Sequence, residues 1–151
     1  MPLSRRRLIQ LGLGGTAAAA LNVAPALAAS HGEKTQAAID AFTNGAAVTE
    51  GRVTLVTPEI AENGNTVPIE FSIDSPMTED DYVTDVIVLA DGNPNPGVAT
   101  FHFMPINGAA TAKTRIRLAK TQDVVALAKM SDGSIHMASN NVKVTIGGCG
   151  G

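Results

Sequence analysis

Beyond Gly51 the chain is written in period two, and this constrains its fold more than any other feature. Val67, Ile69, Phe71 and Ile73 alternate with Pro68, Glu70, Ser72 and Asp74, which predicts a strand with one face buried and one wet. Val53 and Leu55 flank Thr54 in the same way, and Ile116 and Leu118 alternate with Arg115 and Arg117. Val83 to Ala90 is apolar on both faces and predicts a central strand, and Val98–Met104 and Val124–Met130 are further strand candidates. Ile135 and Met137 predict a short strand, Asn140-Asn141 a turn, and Val142, Val144 and Ile146 the last strand. Between these runs stand turn clusters such as Asp91-Gly92-Asn93-Pro94-Asn95-Pro96-Gly97, Asn107-Gly108 and Ser131-Asp132-Gly133, which carry the residues tight turns require. About eight short strands without helical crossovers make a largely antiparallel sheet system. The expected fold is all-β, an immunoglobulin-like antiparallel β-sandwich, with a small barrel as the alternative. One helix is expected over Glu33–Phe42, its weak apolar stripe made by Ala37, Ala38, Ala41 and Phe42, and Asn44-Gly45 stopping it.

Composition narrows the function. A chain of 151 residues with 44% hydrophobic positions is enough for one globular domain and too apolar for disorder. With no Trp, one Tyr and a net charge of −3, it has neither stacking platforms nor a phosphate-tracking surface, which excludes nucleic acid as the expected partner. A single cysteine excludes an internal disulfide framework and a cysteine-rich metal centre.

The first 28 residues are expected to be an export signal. Arg5-Arg6-Arg7 precede the Gly/Ala-rich run Leu11–Leu21, and Ala26-Leu27-Ala28 offers a small-x-small cleavage site. The run is too short and too rich in small residues to span a membrane well, so no membrane attachment is expected after cleavage. Ser4-Arg5-Arg6-Arg7-Leu8-Ile9 resembles a twin-arginine signal with Arg5 and Arg6 as the pair. Cleavage leaves 8 basic and 14 acidic residues in an oxidising, periplasmic compartment, where a free thiol stands out.

That thiol sits in the other unusual segment. The last predicted strand runs into Gly147-Gly148-Cys149-Gly150-Gly151. Residues 29–146 read as the sandwich domain and 147–151 as a mobile, slender arm, because glycine carries no Cβ and ranges widely in φ and ψ. An exposed thiol in an oxidising compartment is a liability unless it is used. Prenylation does not fit, since Cys149 is third from the end rather than fourth. A thiol forms S–S bonds reversibly and can hold oligosulfur chains. At an unperturbed pKa near 8.5, about 3% of it is thiolate at pH 7, and the tail holds no Lys, Arg or His to raise that fraction.

This ending resembles that of the SoxY family, the sulfur carriers of the Sox thiosulfate-oxidation system, at all five positions from Gly147 to Gly151. The resemblance implies a carrier with no catalytic residues and no cofactor of its own, with Cys149 as the covalent attachment site and Gly147, Gly148, Gly150 and Gly151 as its flexible arm. It implies a heterodimer with SoxZ. It further implies transient contact with the haem enzyme SoxAX, which conjugates thiosulfate oxidatively, with the hydrolase SoxB, which releases sulfate, and in some organisms with the molybdenum enzyme SoxCD.

Other constellations are weaker. His102, Met104, His136 and Met137 offer imidazole and thioether ligands for periplasmic copper, although methionine on a strand is ordinarily core, so no metal is expected. His31 falls at the start of the domain. Thr78-Glu79-Asp80-Asp81 reads as a solvated acidic loop. A scaffold whose cysteine only cross-links subunits is a further alternative. So is a ubiquitin-like carrier with sulfur on the Gly151 carboxylate, though activation of that kind needs ATP, which the expected compartment lacks.

Overall fold

A computed structural model describes residues 31–148. The expected signal, with Arg5 and Arg6, lies outside the described residues, as do Cys149, Gly150 and Gly151. Helix α1 (Glu33–Thr43) precedes nine strands: β1 (Val48–Glu50), β2 (Val53–Val56), β3 (Ile60–Asn63), β4 (Val67–Ile73), β5 (Val83–Ala90), β6 (Gly97–His102), β7 (Ala110–Ile116), β8 (Gln122–Met130) and β9 (Ile135–Ile146). They form an all-β sandwich. One sheet has the order β1-β9-β8-β5-β6 with β3 also paired to β9, and the other has the order β2-β4-β7.

The alternation read in the sequence sets the inner faces. Val67, Ile69, Phe71 and Ile73 of β4 are all buried. They meet Val86, Val88 and Ala90 of β5, Val124, Ala126 and Ala128 of β8, and Leu55, Ile116, Leu118 and Val142. Phe71 is fully buried and packs edge-on against Phe101 and Phe103, with ring centroids 5.0 and 6.4 Å away. Each such side chain contributes about 1.5–3 kcal/mol of burial free energy.

The large sheet is covered on both sides, which explains the nearly continuous apolar runs of β5 and β8. Its outer face packs Leu89, Val125, Leu127 and Ile135 against Ile39 of α1, with Phe42 beside them. The helix buries Thr35, Ile39 and Thr43. The apolar stripe therefore centres on Ile39, whereas Ala37 and Ala41, placed on it by the sequence reading, are exposed. Asn44 ends the helix in the left-handed conformation at φ 51°, one of the few non-glycine residues that tolerates it.

Two departures from the expected layout matter for the site. Asn140-Asn141 does not turn, and β9 is one strand of 12 residues. Asn140 Nδ2 donates to the Leu55 carbonyl and Asn141 Nδ2 to Asp123 Oδ1, each at 2.7 Å. These partners hold both residues in register with Val124 and Asp123. In addition, β1 and β3 are strands that the sequence reading missed. Both pair with β9 in parallel, so an otherwise antiparallel architecture carries two short parallel ladders. Both lie along the final strand, which therefore leads to the arm from a position braced on each side.

Candidate functional site

Strand β9 delivers the tail to a fixed place on the domain. Beyond Ile146, three backbone hydrogen bonds tie three segments together. The Gly64 amide donates to the Ile146 carbonyl at 2.7 Å, the Leu118 amide to the Gly64 carbonyl at 2.8 Å, and the Gly148 amide to the Leu118 carbonyl at 2.9 Å. Gly64 comes from the turn between β3 and β4, and Leu118 from the connection between β7 and β8.

The close approach depends on glycine. A Cβ on Gly64 would overlap the Leu118 carbonyl oxygen and lie 2.7 Å from the Gly148 nitrogen. A Cβ on Gly147 would overlap the Ala119 carbonyl oxygen, and one on Gly148 would lie 2.8 Å from the Gly64 carbonyl oxygen. The obstacles are backbone atoms, which cannot swing aside as a side-chain tip can.

The segment receiving the tail is itself braced. Asn93, which is buried, donates from Nδ2 to the Arg117 carbonyl at 2.9 Å and accepts at Oδ1 from the Ala119 amide at 3.0 Å. Buried Gln122 donates from Nε2 to Asn93 Oδ1 and to the Lys120 carbonyl, both at 2.9 Å, and accepts from the Gly92 amide at 2.7 Å. Thr121 Oγ1 accepts from the Val144 amide at 2.9 Å. A fully satisfied buried network of this kind rigidifies its surroundings. Arg117 and Lys120 are exposed on this segment, and neither has a carboxylate within 4.0 Å among the described residues.

The arm expected to begin at residue 147 thus keeps its first two glycines against the domain: Gly148 is buried, and Gly147 lies on Ala119. The reason is that glycine serves two purposes. It frees a chain in solvent, and it equally lets two backbones touch. Gly64, Asn93 and Gln122 were not singled out from the sequence. Asn63-Gly64 reads as an ordinary turn dipeptide, and the backbone partners that require this glycine lie far away in the chain.

The copper candidates are not brought together. His102, Asp85, Lys129 and Ile135 occupy one register row across the large sheet, on its outer face, so His136 points to the opposite face. His102 Nδ1 lies 2.6 Å from Asp85 Oδ1, and His136 Nδ1 lies 3.0 Å from Thr49 Oγ1. Met104 follows the end of β6 and is exposed, and Met137 packs on the helix-covered face. His31 Nδ1 is 3.8 Å from Asp91 Oδ2. Among the described residues no group of three or more His, Cys, Asp or Glu side chains is placed to hold a metal ion. In the acidic loop, Asp81 Oδ2 accepts from Arg52 at 2.8 Å while Glu79 and Asp80 remain exposed. Asp132, in the β8–β9 turn, has its carboxyl held below the usual value by hydrogen bonds from the Ser134 hydroxyl and amide.

Comparison with known families finds the model of "Sulfur oxidation protein SoxY" matching residues 39–149, from the core residue of α1 to the cysteine. The chain belongs to the SoxY family. Among solved structures, the sulfur carrier protein SoxY from Chlorobium limicola f thiosulfatophilum is 31% identical, with 75% of this chain and 97% of that chain covered and a TM-score of 0.63. Membership makes the chain a sulfur carrier of the Sox system. A superoxide reductase (neelaredoxin) from Ignicoccus hospitalis shares the fold at 16% identity and a TM-score of 0.56, covering 62% of this chain and 80% of that one. A putative superoxide reductase from Thermotoga maritima does so at 20% identity and a TM-score of 0.52, covering 68% and 89%. At these identities only the sandwich is shared. Comparison with curated protein sequences finds no match.

Proposed function

We propose that this SoxY-family chain carries sulfur intermediates covalently on Cys149 and presents them to partner enzymes without catalysing a reaction itself. The observation that carries this reading is the end of the family match at residue 149, which includes the cysteine together with the braced root leading to it. In the first step the thiolate and thiosulfate form Cys–S–S–SO3⁻ and release two electrons, which the haem partner SoxAX accepts. In the second, water attacks the terminal sulfone in SoxB. The products are sulfate, two protons and a persulfide anion on Cys149. SoxCD, where present, oxidises the remaining sulfane sulfur. The S–S bond suits this cycle because it forms and breaks at a thiol without touching the domain.

The same reading includes a heterodimer with SoxZ and twin-arginine export of the folded pair to the periplasm, supported by family membership and by the Arg5-Arg6 signal pattern. The deciding experiment is the intact mass of wild type and Cys149→Ser after incubation with thiosulfate and the oxidising partner. Wild type gains a thiosulfate-sized adduct and the serine variant gains none, with melting temperatures unchanged. An adduct that persists on the serine variant places the cargo elsewhere and overturns the reading. If fragment masses put it at the Gly151 carboxylate, the ubiquitin-like mode replaces it.

A further inference from the structure

We infer that the outer face of the small sheet, with the basic stripe Lys113, Arg115, Arg117 and Lys120 along it, is where an enzyme that works on the carrier docks, through a surface rich in carboxylates. The inference rests on the carrier reading above only for the existence of such enzymes; the surface itself is read from charge and exposure. Residues 31–151 hold 8 basic and 14 acidic side chains, so most of the domain repels an anionic partner. No Asp or Glu occurs between Asp91 and Asp123, and the four cations of that interval all fall within residues 113–120. Half of the domain's cations are thus gathered in one short segment and sorted from its acids.

The fold lays them on one surface. Lys113 and Arg115 are exposed on β7, and Arg117 follows in the same alternation between the buried Ile116 and Leu118. Strand β7 is the edge of the small sheet. Lys113 Nζ meets Glu70 Oε2 at 2.9 Å, whereas Arg115, Arg117 and Lys120 have no carboxylate within 4.0 Å among the described residues. Helix α1 covers the large sheet, but no described element covers the outer face of the small one. There Val56, 53% exposed, lines an open hollow of about 530 Å³ together with Pro58, Pro68, Lys113 and Arg115. Apolar area beside arginine is the composition of a protein contact. Lys113 and Arg117 stand about 13 Å apart along an extended chain, too far to share one small anion and suited to carboxylates spread over a protein surface. The Leu118 carbonyl, between Arg117 and Lys120, accepts from the Gly148 amide, so a partner on the stripe sits beside the place where the chain leaves the domain.

The test uses the mature carrier in complex with SoxZ. KM and kcat for thiosulfate conjugation by the haem partner are measured with the carrier as varied substrate, at about 0.05 M and about 0.5 M sodium chloride. Wild-type KM should rise about tenfold over that range as screening removes the attraction. The triple variant Arg115→Gln, Arg117→Gln, Lys120→Gln should start about tenfold higher and respond little to salt, with kcat within about twofold of wild type, because only docking is lost. Arg115→Lys with Arg117→Lys, which keeps the charge, should retain most of the wild-type KM, and Lys34→Gln on the helix side should change nothing. A wild-type KM indifferent to salt overturns the proposal, and that measurement stands even if the triple variant folds poorly. A folded triple variant with wild-type KM overturns it too. So does loss of SoxZ from the triple variant, which assigns the stripe to the permanent interface, or stripe-dependent binding to anionic phospholipid vesicles with KM unchanged, which assigns it to a membrane. A wild-type carrier that accepts no sulfur strikes the carrier reading instead; calorimetric binding of the resting haem partner to wild type and triple variant at both salt concentrations then decides the stripe, equal binding overturning it.

Discussion

The β8–β9 turn and the root of the arm both depend on glycine, for opposite reasons. At Gly133 the backbone stands at φ 85°, and an added Cβ would meet nothing within 4 Å. The turn requires a conformation, and space is plentiful. At Gly64, Gly147 and Gly148 no φ in the left-handed region is involved, and the obstacles are carbonyl oxygens and an amide nitrogen of neighbouring segments. The root requires space, and conformation is incidental. A penalty at Gly133 stays within one residue, whereas a penalty at the root is passed to whatever backbone lies opposite. The first kind of glycine shapes a loop, and the second couples distant parts of the chain.

Substitutions can break or sharpen this contrast. The largest effect is expected at Asn93, the buried support that the turn lacks. Asn93→Leu strands the Arg117 carbonyl, the Ala119 amide and one Gln122 donor and should cost on the order of 3 kcal/mol in urea unfolding. Gly147→Ala should cost about 2 kcal/mol as an overpacked contact, and Gly147→Asn should do no better, because Asn also carries a Cβ. Gly133→Ala should cost about 1 kcal/mol, and Gly133→Asn should recover most of it, since Asn tolerates the left-handed region. Recovery by Asn at residue 147, or its failure at residue 133, would erase the distinction. The smallest effect is electrostatic and confined to the turn. Asp132 has its folded pKa lowered from 3.8. Its contribution to stability is therefore complete above that value and is lost as pH falls through the depressed folded pKa. Asp132→Ala should lower the melting temperature slightly at pH 7, with wild type and variant converging in strong acid.

The sandwich was legible because burial on one face writes itself into period two. Val67 to Ile73 and Val83 to Ala90 announced their strands and even their neighbours: one-sided for the small sheet, two-sided for the large. The strands that were missed, β1 and β3, are three and four residues long, too short to show a period, and they exist because β9 offers them an edge. Asn140-Asn141 misled because asparagine's preference for turns yields when its amides find partners such as Leu55 and Asp123. At the proposed site, composition and position alone single out Cys149 as the candidate thiol. The anchoring of Gly147 and Gly148 was not legible, because a glycine in the sequence carries no mark of what presses against it. Gly64 is more than 80 residues away from them, and only the folded register brings the two together.

The position of β9 also bears on the order of events during synthesis. This strand joins β1, β3 and β8, so until residues 135–146 have left the ribosome β8 has an open edge and two earlier strands have nothing to pair with. The domain cannot close on a nascent chain that stops short. Closure of the large sheet therefore waits on residues 135–146, the last strand before the glycines.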